Sequence, residues 1–118
     1  MAISITFTDF VALVSLSLPS HQNRRIQVRV DTGFTGELAL PRALIEELQL
    51  KYIYDQEVST ANSKKVGVPV YNLDIDWFGE TRKVEVFGMQ MNLLGMRLLD
   101  NRLTQIEMRS NPKTITIQ

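Results

Sequence analysis

The chain has 118 residues, 44% of them hydrophobic, which is enough to bury one core and too few for two, so a single domain over residues 1–118 is expected. Thirteen basic residues balance thirteen acidic ones, leaving no surplus of cations for phosphate and arguing against nucleic acid as a partner. With no cysteine and one histidine, His21, neither a disulfide framework nor a thiolate or imidazole metal cluster is available, and a site without metal or cofactor is expected.

The first alternating run, "ISITF", reads as a strand. The next, "FVALVSLSL", is a poor secretory leader because Asp9 precedes it, the first basic residue is Arg24, and serines interrupt it. It reads instead as a strand with Ala12, Val14, Leu16 and Leu18 on one face. No segment approaches the roughly 20 apolar residues of a membrane helix, so a cytoplasmic protein without a membrane partner is expected. "PSHQNRR" supplies a polar turn, with His21 expected as a surface side chain, and the chain returns through "IQVRV". There Ile26, Val28 and Val30 share one face while Gln27, Arg29 and Asp31 share the other.

A helix is expected from Pro41, suited to a first turn, through Leu50, with Leu44, Ile45 and Leu48 as its apolar stripe and Glu46 and Glu47 outward. "QEVST" and "KKVGVPV" then flank Ala61, Asn62 and Ser63, which predicts a long hairpin with an exposed tip. From Tyr71 to Trp77 alternation places Tyr71, Leu73, Ile75 and Trp77 on one face and Asn72, Asp74 and Asp76 on the other. A turn at Phe78 and Gly79 leads into "TRKVEVF". "MNLLGMRLL" suits a turn of helix, and "LTQIEM" and "KTITIQ" supply closing strands. Asp74 and Asp76 are read as a solvated face, and Trp77, Phe78 and Phe87 as packing.

Asp31, Thr32 and Gly33 end the "IQVRV" strand, where a glycine lets another backbone approach and bring N–H donors to the carboxylate. Taken alone, Asp31 reads equally as a turn-capping carboxylate or a partner of Arg29. The wider stretch "VDTGFTGELALP" resembles the signature of the retropepsin-like aspartic proteases, in particular their small microbial single-domain members. "NLLGMRLL", Asn92 to Leu99, resembles the family's second element of two apolar residues and a glycine before a short helix. Between them the hairpin at Ser59 to Lys65 falls where the family has its flap. One departure is Phe34, where many members carry Ala or Ser after the triplet.

The resemblance implies a mainly β, half-barrel fold with one or two short helices, forming a twofold homodimer. The triplet occurs once, so a catalytic pair of aspartates would take Asp31 from each of two chains. By the same resemblance Asp31, Thr32 and Gly33 are the catalytic residues, with Thr32 hydrogen bonding across the dyad. "ISITF" and "TITIQ" are candidates for an interface sheet of interleaved chain termini. Phe34 is a candidate subsite residue, and Ala61, Asn62 and Ser63 are candidate flap-tip contacts to a peptide or protein substrate. The implied activity is an aspartic endopeptidase. The alternative is a noncatalytic dimer of the same fold that binds an extended peptide or partner protein.

Overall fold

The computed structural model describes residues 2–8, 11–100, 102, 104–108 and 112–118. Its strands are β1 (Ile3–Thr6), β2 (Leu13–Leu18), β3 (Arg24–Val30), β4 (Leu38–Pro41), β5 (Lys51–Ser59), β6 (Lys65–Trp77), β7 (Glu80–Met89), β8 (Leu93–Leu94), β9 (Thr104–Glu107) and β10 (Thr114–Ile117). Two short helices, α1 (Arg42–Glu47) and α2 (Met96–Leu99), interrupt them. The result is the mainly β architecture the alternating pattern predicts.

Seven strands form one sheet in the order β2-β3-β8-β4-β7-β6-β5. β2 nevertheless touches β6, with four strands between them in that order, so the sheet curls into a half-barrel around its apolar face. Val14, Leu16 and Leu18 of β2 meet Leu73, Ile75 and Trp77 of β6 there, with Leu38, Leu40, Val84, Val86 and Leu94 completing the interior. The β2 and β6 residues among them are the ones period-2 alternation places on one face. Their removal from water, at roughly 25 cal/mol per Å² of apolar surface, is the main force holding the curl.

A second sheet, β1-β10-β9, joins the two terminal segments. Ile3 pairs with Ile117 and Thr6 with Thr114, while Thr114 also faces Glu107. β10 therefore has both edges occupied within the one chain. Ile117 points into the main core.

The helix expected through Leu50 is shorter. Pro41 closes β4, paired with Met89, and caps α1 from an extended conformation. Just past the C-cap Leu48, Gln49 takes a left-handed φ of 54°. The Leu50 N–H reaches the Ile45 carbonyl at 3.2 Å and the Gln49 N–H reaches that of Glu46 at 3.0 Å, the paired bonds of a Schellman ending. His21 also departs from expectation. It lies in the Pro19–His21 turn with Nε2 2.8 Å from the Leu48 carbonyl, so it ties that turn to the end of α1, and among the described residues its buried Nδ1 has no partner. Among the described residues no helix is long and apolar enough to cross a membrane.

Candidate functional site

β3 and β4 follow one another in the chain but do not pair; both lie against the two-residue strand β8, β3 parallel to it and β4 antiparallel. The seven residues from Asp31 to Glu37 must therefore cross the end of β8, and backbone bonds pin them there. The Asp31 N–H donates to the Leu94 carbonyl at 2.9 Å, Gly95 N–H to Glu37 at 2.9 Å, Met96 N–H to Phe34 at 2.8 Å and Arg97 N–H to Gly36 at 3.2 Å. Gly95 is needed for this crossing. A Cβ there would overlap the Gly36 carbonyl oxygen and stand 2.8 Å from that of Phe34. The two sequence elements that carry the family resemblance, "VDTGFTGELALP" and Asn92 to Leu99, are thus adjacent in space.

Within the loop the Gly33 N–H donates to Asp31 Oδ1 at 2.9 Å, and the Phe34 N–H to the Asp31 carbonyl at 3.2 Å. The carboxylate does cap its own turn, and one oxygen is left for other partners. It does not pair with Arg29, whose Nη2 sits 3.4 Å from the sulfur of Met91. Thr32 and Gly33 are exposed and Asp31 half-buried. The Phe34 ring stands edge-on to Phe87, centroids 5.5 Å apart, and lies against Gly36 and Gly95. It props the crossing from below.

The hairpin has the form sequence predicts. β6 pairs with β7 only from Val70 onward, whereas its pairing with β5 continues from Asp55–Pro69 to Ser59–Lys65. That leaves a two-stranded ribbon projecting beyond the sheet, closed by a turn in which the Thr60 N–H reaches Lys64 at 2.8 Å. Ala61, Asn62 and Ser63 form its exposed tip, Ser63 with φ 59°. A shift in register between Tyr52 and Tyr54 bends β5 at the ribbon's base.

Ribbon and crossing loop enclose a cleft of about 290 Å³. Thr35, Gly36 and Glu37 line one wall, Tyr54, Gln56 and Val58 the other. Glu85, Phe87, Glu57 and Arg97 complete it, whereas Phe34 and the three tip residues do not border it. Tyr54 donates its hydroxyl to Glu85 Oε2 at 2.8 Å, and that bond raises the phenol above its ordinary value. Glu37 is 7% exposed, its carboxylate taking the Glu85 N–H at 2.9 Å and Arg82 Nη2 at 2.9 Å. Glu37 thereby fixes the end of the Asp31 loop to β7.

Glu37, Tyr54, Glu85 and Arg97 escape a reading of the sequence. Their partners lie 31 or more positions away, and the only local signal is a carboxylate opening the apolar run Leu38–Leu40. Asp74 and Asp76 stay apart from the site, accepting from the Ser20 hydroxyl and the Gly79 N–H, both at 2.9 Å. Among the described residues no three His, Asp or Glu side chains converge as metal ligands would.

No protein-family model and no curated protein matches the sequence. Among solved structures, the chain is similar to EIAV protease complexed with the inhibitor HBY-793, at 16% identity and a TM-score of 0.62, over 82% of this chain and 93% of that one. The fold is retropepsin-like.

Proposed function

We propose that this chain is one half of a homodimeric aspartic endopeptidase in which Asp31 from each of two copies forms the catalytic pair. The observation that carries the reading is the pinned crossing loop, which holds a half-buried Asp31 with one carboxylate oxygen uncommitted beside exposed Thr32 and Gly33. A rigid carboxylate at an open surface is half of a site that a twofold axis completes. Thr32 would hydrogen bond across that axis.

Two carboxylates brought to about 3 Å hold one proton between them, because both cannot be charged. The ionised Asp31 takes a proton from a water held between the two, and the water oxygen forms a bond to the scissile carbonyl carbon. The protonated Asp31 gives its proton to the carbonyl oxygen, yielding a neutral gem-diol. The Asp31 that took the water's proton then passes it to the amide nitrogen while the other, now ionised, takes one from a gem-diol hydroxyl, so the C–N bond breaks and an acid and an amine are released. The substrate lies extended, its backbone paired with strand edges under the two projecting ribbons, whose tips are Ala61, Asn62 and Ser63.

Incubation of the protein and its Asp31→Asn variant with a diverse peptide pool across a pH series, read by mass spectrometry, tests this. Cleavage by the parent, lost in a variant of unchanged sedimentation mass, is expected. A folded parent dimer that cuts no peptide at any pH would overturn the enzymatic reading in favour of a peptide-binding module.

A further inference from the structure

We propose that the cleft between the projecting ribbon and the Thr35–Glu37 segment is a specificity subsite for an uncharged carboxamide side chain, glutamine or asparagine, of the bound peptide. The inference rests on the reading that an extended peptide binds beside Asp31. At about 290 Å³ the cleft falls at the small end of ligand pockets, which suits one or two side chains.

Its lining is polar and of mixed sign. Glu85 offers Oε1, since Tyr54 occupies only Oε2. Glu57 stands at the rim, its carboxylate approached at 3.9 Å by Lys65. Arg97 enters from α2, anchored by its backbone, and among the described residues neither it nor Glu85 takes part in an ion pair. Carboxylate and guanidinium thus border one cavity without neutralising each other.

That arrangement discriminates by charge. A lysine or arginine side chain would reach Glu85 and Glu57 but be repelled by Arg97. A glutamate side chain would meet the converse. An apolar side chain would strip water from all three groups and return no hydrogen bond. A carboxamide donates its NH₂ to Glu85 Oε1 and accepts from Arg97 through its carbonyl, satisfying both signs with no added charge to desolvate.

The test uses the full chain carrying Asp31→Asn, so that peptides are bound and not cut, against a positional-scanning library of octapeptides. One peptide position is expected to prefer glutamine or asparagine over glutamate, lysine and leucine by at least about tenfold. Adding Arg97→Met shifts that position toward lysine and arginine, and adding Glu85→Gln, which keeps an acceptor for Tyr54, shifts it toward glutamate. A merely structural role for either residue would weaken binding at all positions alike. Peptides bound with selectivity untouched by both changes, or an apolar preference at every position, would overturn the subsite and leave peptide recognition standing. A folded protein that binds no octapeptide would overturn peptide recognition, and the subsite with it.

Discussion

Replacing Gly95 by alanine tests the crossing at the centre of the fold. The backbone of Gly95, φ −104° and ψ 179°, is open to any residue, so the cost is steric and not conformational. The new methyl would overlap the Gly36 carbonyl oxygen, come within 2.5 Å of Phe34 Cδ2 and lie 2.8 Å from the Phe34 carbonyl oxygen. Two of these three atoms are backbone of the Asp31 loop, so relief requires the loop to move by about 1 Å rather than a side chain to rotate. That movement strains the bonds from Gly95, Met96 and Arg97 to Glu37, Phe34 and Gly36. Overpacking of about 1–3 kcal/mol and the weakening of hydrogen bonds worth about 1 kcal/mol each give a loss on the order of 3 kcal/mol. In a domain of this size that lowers Tm by about 10 °C. Gly67→Ala is the control, because the nearest atoms to a methyl there are those of the Asp55 side chain, at an ordinary contact distance of 3.5 Å and beyond. Urea titrations of the three proteins measure the difference directly. A Gly95→Ala protein within about 0.5 kcal/mol of its parent would refute the close crossing and the pinned Asp31 loop with it.

Glu37→Ala leaves the Glu85 N–H without its acceptor and Arg82 without its carboxylate; because Arg82 regains water, the expected loss is about 2 kcal/mol, read by denaturant unfolding. Tyr54→Phe tests the bond to Glu85: the raised phenol keeps its proton to higher pH folded than unfolded, so its stabilisation is present in full below pH 10.0 and is lost as pH climbs through the folded value. The Tm of Tyr54→Phe should therefore lie below that of the parent at neutral pH, with the gap closing in thermal melts above about pH 10, and a gap constant with pH would count against the bond. His21→Ala removes the donor to the Leu48 carbonyl and should cost about 1 kcal/mol; unchanged stability would return His21 to the surface role its sequence context suggests.

The parts of this molecule written in local pattern were legible. Alternation places Val14, Leu16, Leu18, Leu73, Ile75 and Trp77 inside, and turn chemistry at Ala61, Asn62 and Ser63 locates the ribbon's tip. Even Pro69 carries a signal, standing just beyond the last β6–β7 pair, where the ribbon leaves the sheet. The end of α1 was misjudged because Leu48 and Leu50 continue the apolar pattern while Gln49, not a glycine, takes the left-handed turn. His21 was misjudged because its partner is a carbonyl 27 residues away. The cleft was not legible at all. Glu37, Glu85 and Arg97 look like ordinary surface charges until β8 and the ribbon bring them together.

The position of β8 bears on the order in which the molecule can assemble. β2 with β3, and β5 with β6 and β7, are neighbours along the chain and close short loops. The pair Arg29–Leu93 joins residues 64 apart (93 − 29), and only when it forms does Asp31 find the Leu94 carbonyl. Loops of that length close slowly, because chain entropy is spent before any contact repays it. A two-residue strand has little pairing of its own to offer and enters best between β3 and β4 once their faces are already set. The Asp31 carboxylate is then among the last groups to be fixed, and its pinned geometry becomes a mark of a finished fold: intermediates on the way to it carry the residue but not its placement.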